Sequence, residues 1–124
     1  MKLPILTCLT LLIFSTATYA VDSSGNYAVW GVGKKSCYGF NKSMAEDKDT
    51  QKFKHYMKGF LTAYNIFTEK TFSISGKKDE NQILEWLTEY CEENPMTSLE
   101  NALTHFTFEH YETRMKTSGG HSGR

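Results

Sequence analysis

Apolar side chains recur every three to four positions in four separate runs of this chain, the period that places them on one face of an α-helix. The first run spans about Cys37 to Asp47. Cys37, Phe40 and Met44 share its face, Ser36 is a suitable N-cap, and Gly39 is its weak point. The second run, about Gln51 to Phe67 after Asp49 or Thr50 as cap, carries the strongest stripe: Phe53, Tyr56, Met57, Phe60, Leu61, Tyr64 and Phe67. Gly59 inside it costs about 1 kcal/mol relative to Ala, which predicts a close helix contact there.

The third run begins at Asp79, with Gln82 three residues on as a variant capping box. Its inward positions are Ile83, Leu84, Leu87, Tyr90 and Cys91. Asn94-Pro95 ends it, because proline disfavours helix at the residue before it. The fourth run starts at Thr97 with Glu100 three residues on, a second capping box. Its apolar face is Leu99, Ala102, Leu103, Phe106 and His110. Between the second and third runs, Glu69 to Lys78 is a connection in which Thr71, Phe72 and Ile74 form a short extended piece. The pattern predicts an all-α fold, a small bundle of four short helices over residues 36–116.

The flanks have a different texture. Residues 21–35 contain Gly and Ser around Tyr27-Ala28-Val29-Trp30 and read as an extended arm with Trp30 packing on the domain. Residues 117–124, with Gly119-Gly120 and Gly123, read as a disordered tail. Residues 1–20 read as a secretory signal: Lys2, an apolar run from Leu3 to Phe14, and a small-x-small site at Thr18-Tyr19-Ala20. Cleavage after Ala20 removes Cys8 and leaves Cys37 and Cys91 in an oxidising compartment, the periplasm or the outside of the cell. Two thiols there imply one disulfide, joining the first helix to the third. Closing so long a loop is worth about 4 kcal/mol in the chain-entropy model.

Charge narrows the function classes. The chain has 14 basic and 14 acidic side chains, so no excess of either sign points to nucleic acid or to an acidic tail. Beyond the signal no apolar stretch is long enough to span a membrane, so stable membrane insertion is not expected. Partners are expected to be other proteins. Glu85, Glu89 and Glu93 repeat every four residues on the third helix, with Glu92 beside them. Like charges at this spacing repel by about a few tenths of a kcal/mol per pair. The repulsion fades as acid protonates them, which makes the four glutamates a candidate pH-responsive surface.

Chemical motifs are sparse. Gly31-Val32-Gly33-Lys34-Lys35-Ser36 glances at a phosphate loop, but that pattern needs a glycine at position 28, which is Ala, and Ser or Thr straight after Gly-Lys. His105 and His110 are five apart and diverge around a helix, unlike a metal pair, while His55 and His121 stand far off. No Gly-x-Ser-x-Gly elbow and no Cys-x-x-Cys pair is present. Asn41-Lys42-Ser43 matches a glycosylation sequon only by pattern. An enzyme is not expected, and neither a cofactor nor a metal is called for.

The neighbourhoods of the two cysteines carry a family resemblance. Ser36-Cys37-Tyr38-Gly39-Phe40 and Tyr90-Cys91-Glu92-Glu93-Asn94-Pro95, with Leu99 four residues past the proline, resemble the HdeA/HdeB family of periplasmic acid-stress chaperones. The resemblance covers roughly Ser36 to Phe106. It implies a small helical protein, often a homodimer at neutral pH, that loosens in acid and holds unfolding clients. Cys37 and Cys91 carry over as the structural bridge, and no catalytic residue comes with them. The stripe residues Phe53, Tyr56, Met57, Phe60, Tyr64 and Phe67 are then the candidate client or dimer surface. A longer arm and a more aromatic second helix depart from that family. The Asn94-Pro95 turn and the helix after it are also similar to Tai-type immunity proteins, which implies the rival expectation of a periplasmic inhibitor binding one toxin or enzyme.

Overall fold

The computed structural model describes residues 21–119, so the expected signal segment, its expected cleavage point and the last five residues of the tail lie outside the described residues. Among the described residues, four helices follow one 3-10 turn at Gly31–Lys34: α1 (Cys37–Ala45), α2 (Thr50–Phe67), α3 (Glu80–Glu93) and α4 (Leu99–His110). Among the described residues the only β-type pairings are two isolated bridges, Ser36 with Ser98 and Ser73 with Met115. The chain is an all-α bundle, and Cys37 and Cys91 form the disulfide, with Cα atoms 4.7 Å apart.

Local chemistry explains the helix starts. Ser36 Oγ accepts from the Gly39 amide, satisfying one of the donors a helix N-terminus leaves free. Asp79 and Gln82 form the reciprocal capping box, the two bonds measuring 2.9 and 3.0 Å. Two starts differ from expectation. α4 is capped by Ser98, whose Oγ accepts from Asn101, and not by Thr97. The Thr97 carbonyl is occupied by the Cys37 amide at 2.7 Å, so a contact across the fold sets the register of the cap. Asp49 precedes α2 in a left-handed conformation and makes no capping bond, because its carboxylate is turned to Lys52.

α1 and α3 run antiparallel: the bridge joins the start of one to the end of the other, and Asn41 Nδ2 donates to the Thr88 carbonyl. The core forms where they meet α2 and α4, around Cys37, Phe40, Phe53, Met57, Leu87, Cys91, Leu99, Leu103 and Phe106. Phe40 meets Phe53 edge to face, ring centroids 5.4 Å apart, an arrangement that aromatic quadrupoles favour. Ile74, from the connection, closes one side of this core, its amide donating to Asn65 Oδ1. His110 is buried, its Nδ1 2.8 Å from the Phe106 carbonyl.

The arm departs from the expected extended form. Residues 31–34 wind into the 3-10 turn, and Trp30 stands in solvent, 81 % exposed. Tyr27 ties the early part of the arm to α4 instead, its hydroxyl donating to Glu100 at 2.8 Å. Glu100 is therefore no capping-box partner. It is buried, held by Tyr27 and by Thr104. Gly59 faces open space, so no helix approaches it closely.

Candidate functional site

The aromatic stripe of α2 divides by depth. Phe53, Met57 and Leu61 are buried in the core. Tyr56, Phe60 and Tyr64 are half-buried and pack against it. Phe67, at the helix C-terminus, is 85 % exposed, with Ile66 exposed beside it. Helical geometry accounts for the split. Positions 53, 57 and 61 lie along one row, while 67 has rotated off that row past the last residue that meets a neighbour. Most of the predicted surface is thus covered, and Phe67 is uncovered.

Three fastenings hold α2 in place. The first is steric. A Cβ on Gly33 would overlap the Tyr56 phenol ring, so only glycine lets this ring lie against the 3-10 turn. Burial raises the Tyr56 phenol above its ordinary value, and the Glu100 charge adds to this. The Tyr27 phenol is also raised, first by its hydrogen bond to Glu100, because that bond favours the protonated form. The second fastening is the bond from the Ile74 amide to Asn65 Oδ1, 2.8 Å. The third is ionic: Lys58 and Lys54 of α2 both reach Glu80 in the first turn of α3, Lys54 at 3.7 Å. The Lys58 hydrogen bond is the main reason that the Glu80 carboxyl lies below its ordinary value.

The four predicted pH-responsive glutamates are all exposed, and the structure brings two of them together. Glu89 and Glu93 line a small cleft of about 160 Å³ with Trp86, Tyr90 and Glu109 of α4. Trp86 and Tyr90 stack, centroids 5.1 Å apart, and Trp86 Nε1 donates to Glu109 Oε1 at 3.2 Å. Glu85 and Glu92 do not line this cleft. Glu109 and Glu100 were not among the candidate residues. The signal for the cleft was the spacing Trp86, Glu89, Tyr90, Glu93, which alternates aromatic and acid along one helix face. Nothing local pointed to Glu109.

Among the described residues, no group of three or more His, Cys, Asp or Glu side chains is placed to hold one metal ion, and no helix is long and apolar enough to cross a membrane. Compared with known proteins, the chain matches no protein family, no curated protein and no solved structure.

Proposed function

We propose that this is an exported holding protein that binds unfolded polypeptides in acid, as the resemblance around its cysteines implies. One observation carries the reading. α3 is joined to α1 covalently, whereas its bond to α2 is a partly exposed ion pair that acid removes. Glu80 has a folded pKa below its unfolded value. Its contribution is therefore present above the unfolded pKa and lost as pH falls through the folded one. Charge acts in the same direction. Without Lys2, residues 21–124 hold 13 basic side chains and four histidines, about +17 once carboxyls are protonated. Self-repulsion then loosens a compact state. Moving α2 bares Phe53, Met57 and Leu61 and adds them to the exposed Ile66 and Phe67. The test is light scattering of an aggregating client at about pH 2–4. Suppression by the oxidised protein, with helix retained and dye binding increased, is the expected result. Full aggregation beside an intact, soluble protein would reject the reading.

A second reading, a specific inhibitor working at neutral pH, has its own support in the cleft between α3 and α4. Two stacked aromatic rings with three carboxylates suit the cationic side chain of one partner protein. A single partner that binds at pH 7 and is lost on Glu93→Lys, with unchanged circular dichroism, would favour it over the holding protein.

A further inference from the structure

The segment that fails the phosphate-loop pattern nevertheless ends at a groove where lysines gather. This groove lies between the 3-10 turn, α1 and the start of α2, and its volume is about 440 Å³. Lys35, Lys42, Lys48 and Lys52 line it, with Glu46 and Asp49 as its acidic members. The chain folds back after α1 to bring them together. Asp47 and Asp49 both take left-handed φ angles, and the Lys48 amide donates to the Ser43 carbonyl at 2.9 Å, which returns Lys48 to the end of α1.

The charges do not cancel. Asp49 is paired with Lys52 at 2.9 Å, and this hydrogen bond holds its carboxyl below the ordinary value. Glu46 then stands alone against Lys35, Lys42 and Lys48, none of which forms an ion pair among the described residues. Val32 and Phe53 add apolar lining. Gly39 also lines the groove, and a Cβ there would meet only Ser36 Oγ at 3.5 Å, an ordinary contact. Packing does not require this glycine in α1, and its absent side chain keeps the wall of the groove low.

We propose that the groove binds a small soluble organic phosphate. Lys35, Lys42 and Lys48 hold the phosphate group, and Val32, with what little of the core residue Phe53 reaches the groove, takes the apolar part of the ligand. Four lysines against two carboxylates leave the groove with a positive balance, and a concave positive surface focuses its field on an anion. Lysine ammonium groups bind phosphate as point charges. The volume lies within the range of about 300–1,000 Å³ usual for small-molecule sites. With 14 basic and 14 acidic side chains the molecule has no general attraction for anions, so the binding belongs to the groove. It is independent of the holding activity proposed above.

The test is an amide NMR titration of the folded protein at neutral pH with phenyl phosphate, then with inorganic phosphate at matched ionic strength. Expected are saturable shifts confined to residues 35–53, with phenyl phosphate several-fold tighter because its ring is buried. Replacing both Lys42 and Lys48 by Ala weakens binding about tenfold, and Glu46→Gln tightens it about twofold. Lys77→Ala, in the connection before α3, leaves it unchanged. These side chains are exposed, so the fold should survive, and the gain from Glu46→Gln cannot arise from unfolding. No saturation by about 20 mM, equal affinity for the two phosphates, or equal weakening by Lys77→Ala would each overturn the proposal. Co-sedimentation with phosphatidylglycerol vesicles, without a saturable response to phenyl phosphate, would overturn it in favour of a membrane surface.

Discussion

α2 and α3 are fastened by opposite means. α3 is tied to α1 by a covalent bond surrounded by dry side chains: Cys37, Phe40, Leu87 and Cys91 are all buried. α2 gives Phe53, Met57 and Leu61 to the same core, with Tyr56, Phe60 and Tyr64 packed at its edge, but its other ties are a phenol against a glycine, one hydrogen bond from the Ile74 amide and a partly exposed ion pair. Protons cannot break a disulfide, but they remove an ion pair. The contrast therefore predicts an order of events in acid, with α2 leaving first and α1–α3 staying together.

The largest effect that tests this contrast comes from the bridge. Cys37 and Cys91 are 54 residues apart, and opening the loop is expected to cost about 4 kcal/mol in the chain-entropy model, read from urea unfolding of oxidised and reduced protein. Hydrogen exchange at about pH 3 should then show α1 and α3 protected only in the oxidised form. If reduction at that pH leaves their protection unchanged, the two halves do not differ as described.

Substitutions along α2 come next. Phe53→Ala removes a buried ring that meets Phe40 and should cost about 3–5 kcal/mol. Phe67→Ala, on the same helix, should change stability by less than about 0.5 kcal/mol, because the ring is exposed. In the holding assay the order should reverse, with Phe67→Ala reducing client binding in a protein that still folds. Equal losses of stability would mean that α2 has no separate outer surface.

Gly33→Ala tests the steric fastening. The added methyl overlaps the Tyr56 ring, so ring and turn must separate, and overpacking of this kind costs about 1–3 kcal/mol. The loss should fall on α2: its amides should exchange faster while those of α1 and α3 keep their protection. Dye binding should begin at a higher pH than in the wild type. A stability loss spread evenly over all helices would count against α2 as the detachable element.

What the sequence made legible follows the range of each interaction. The α3 capping box needs only Asp79 and Gln82, three residues apart, and the stripes of α1 to α4 need only local period, so both could be read directly. The disulfide was readable because one pair of cysteines remains beyond the expected signal. Contacts across the fold were not readable. The choice of Ser98 over Thr97 as cap depends on Cys37, some sixty positions away, and Tyr27 finds Glu100 across 73 residues. Gly59 was misread although its position was legible: two residues from both Met57 and Leu61, it lies on the side of α2 away from the buried row. The groove of lysines was hidden, like the other contacts across the fold. Lys35 and Lys48 meet only because the turn after α1 reverses the chain.

The smallest effect is also the most specific. Glu80 lies in the first turn of α3, where an acid favours the helix dipole, but its partners Lys54 and Lys58 belong to α2 and the sequence pattern did not single it out. Glu80→Gln removes the charge and keeps the shape. Above the ordinary glutamate value of 4.5, wild type should be the more stable of the two, by an amount that salt reduces because the pair is partly exposed. As pH falls through the depressed folded pKa, wild-type Glu80 also becomes neutral, so the two urea midpoints should converge. Convergence, with α2 amides losing protection in wild type over the same interval, would place the ionic clasp in the acid response. Midpoints that stay a constant distance apart at every pH would show that Glu80 does not titrate against α2. The weakness of α2 would then lie only in its steric seat at Gly33.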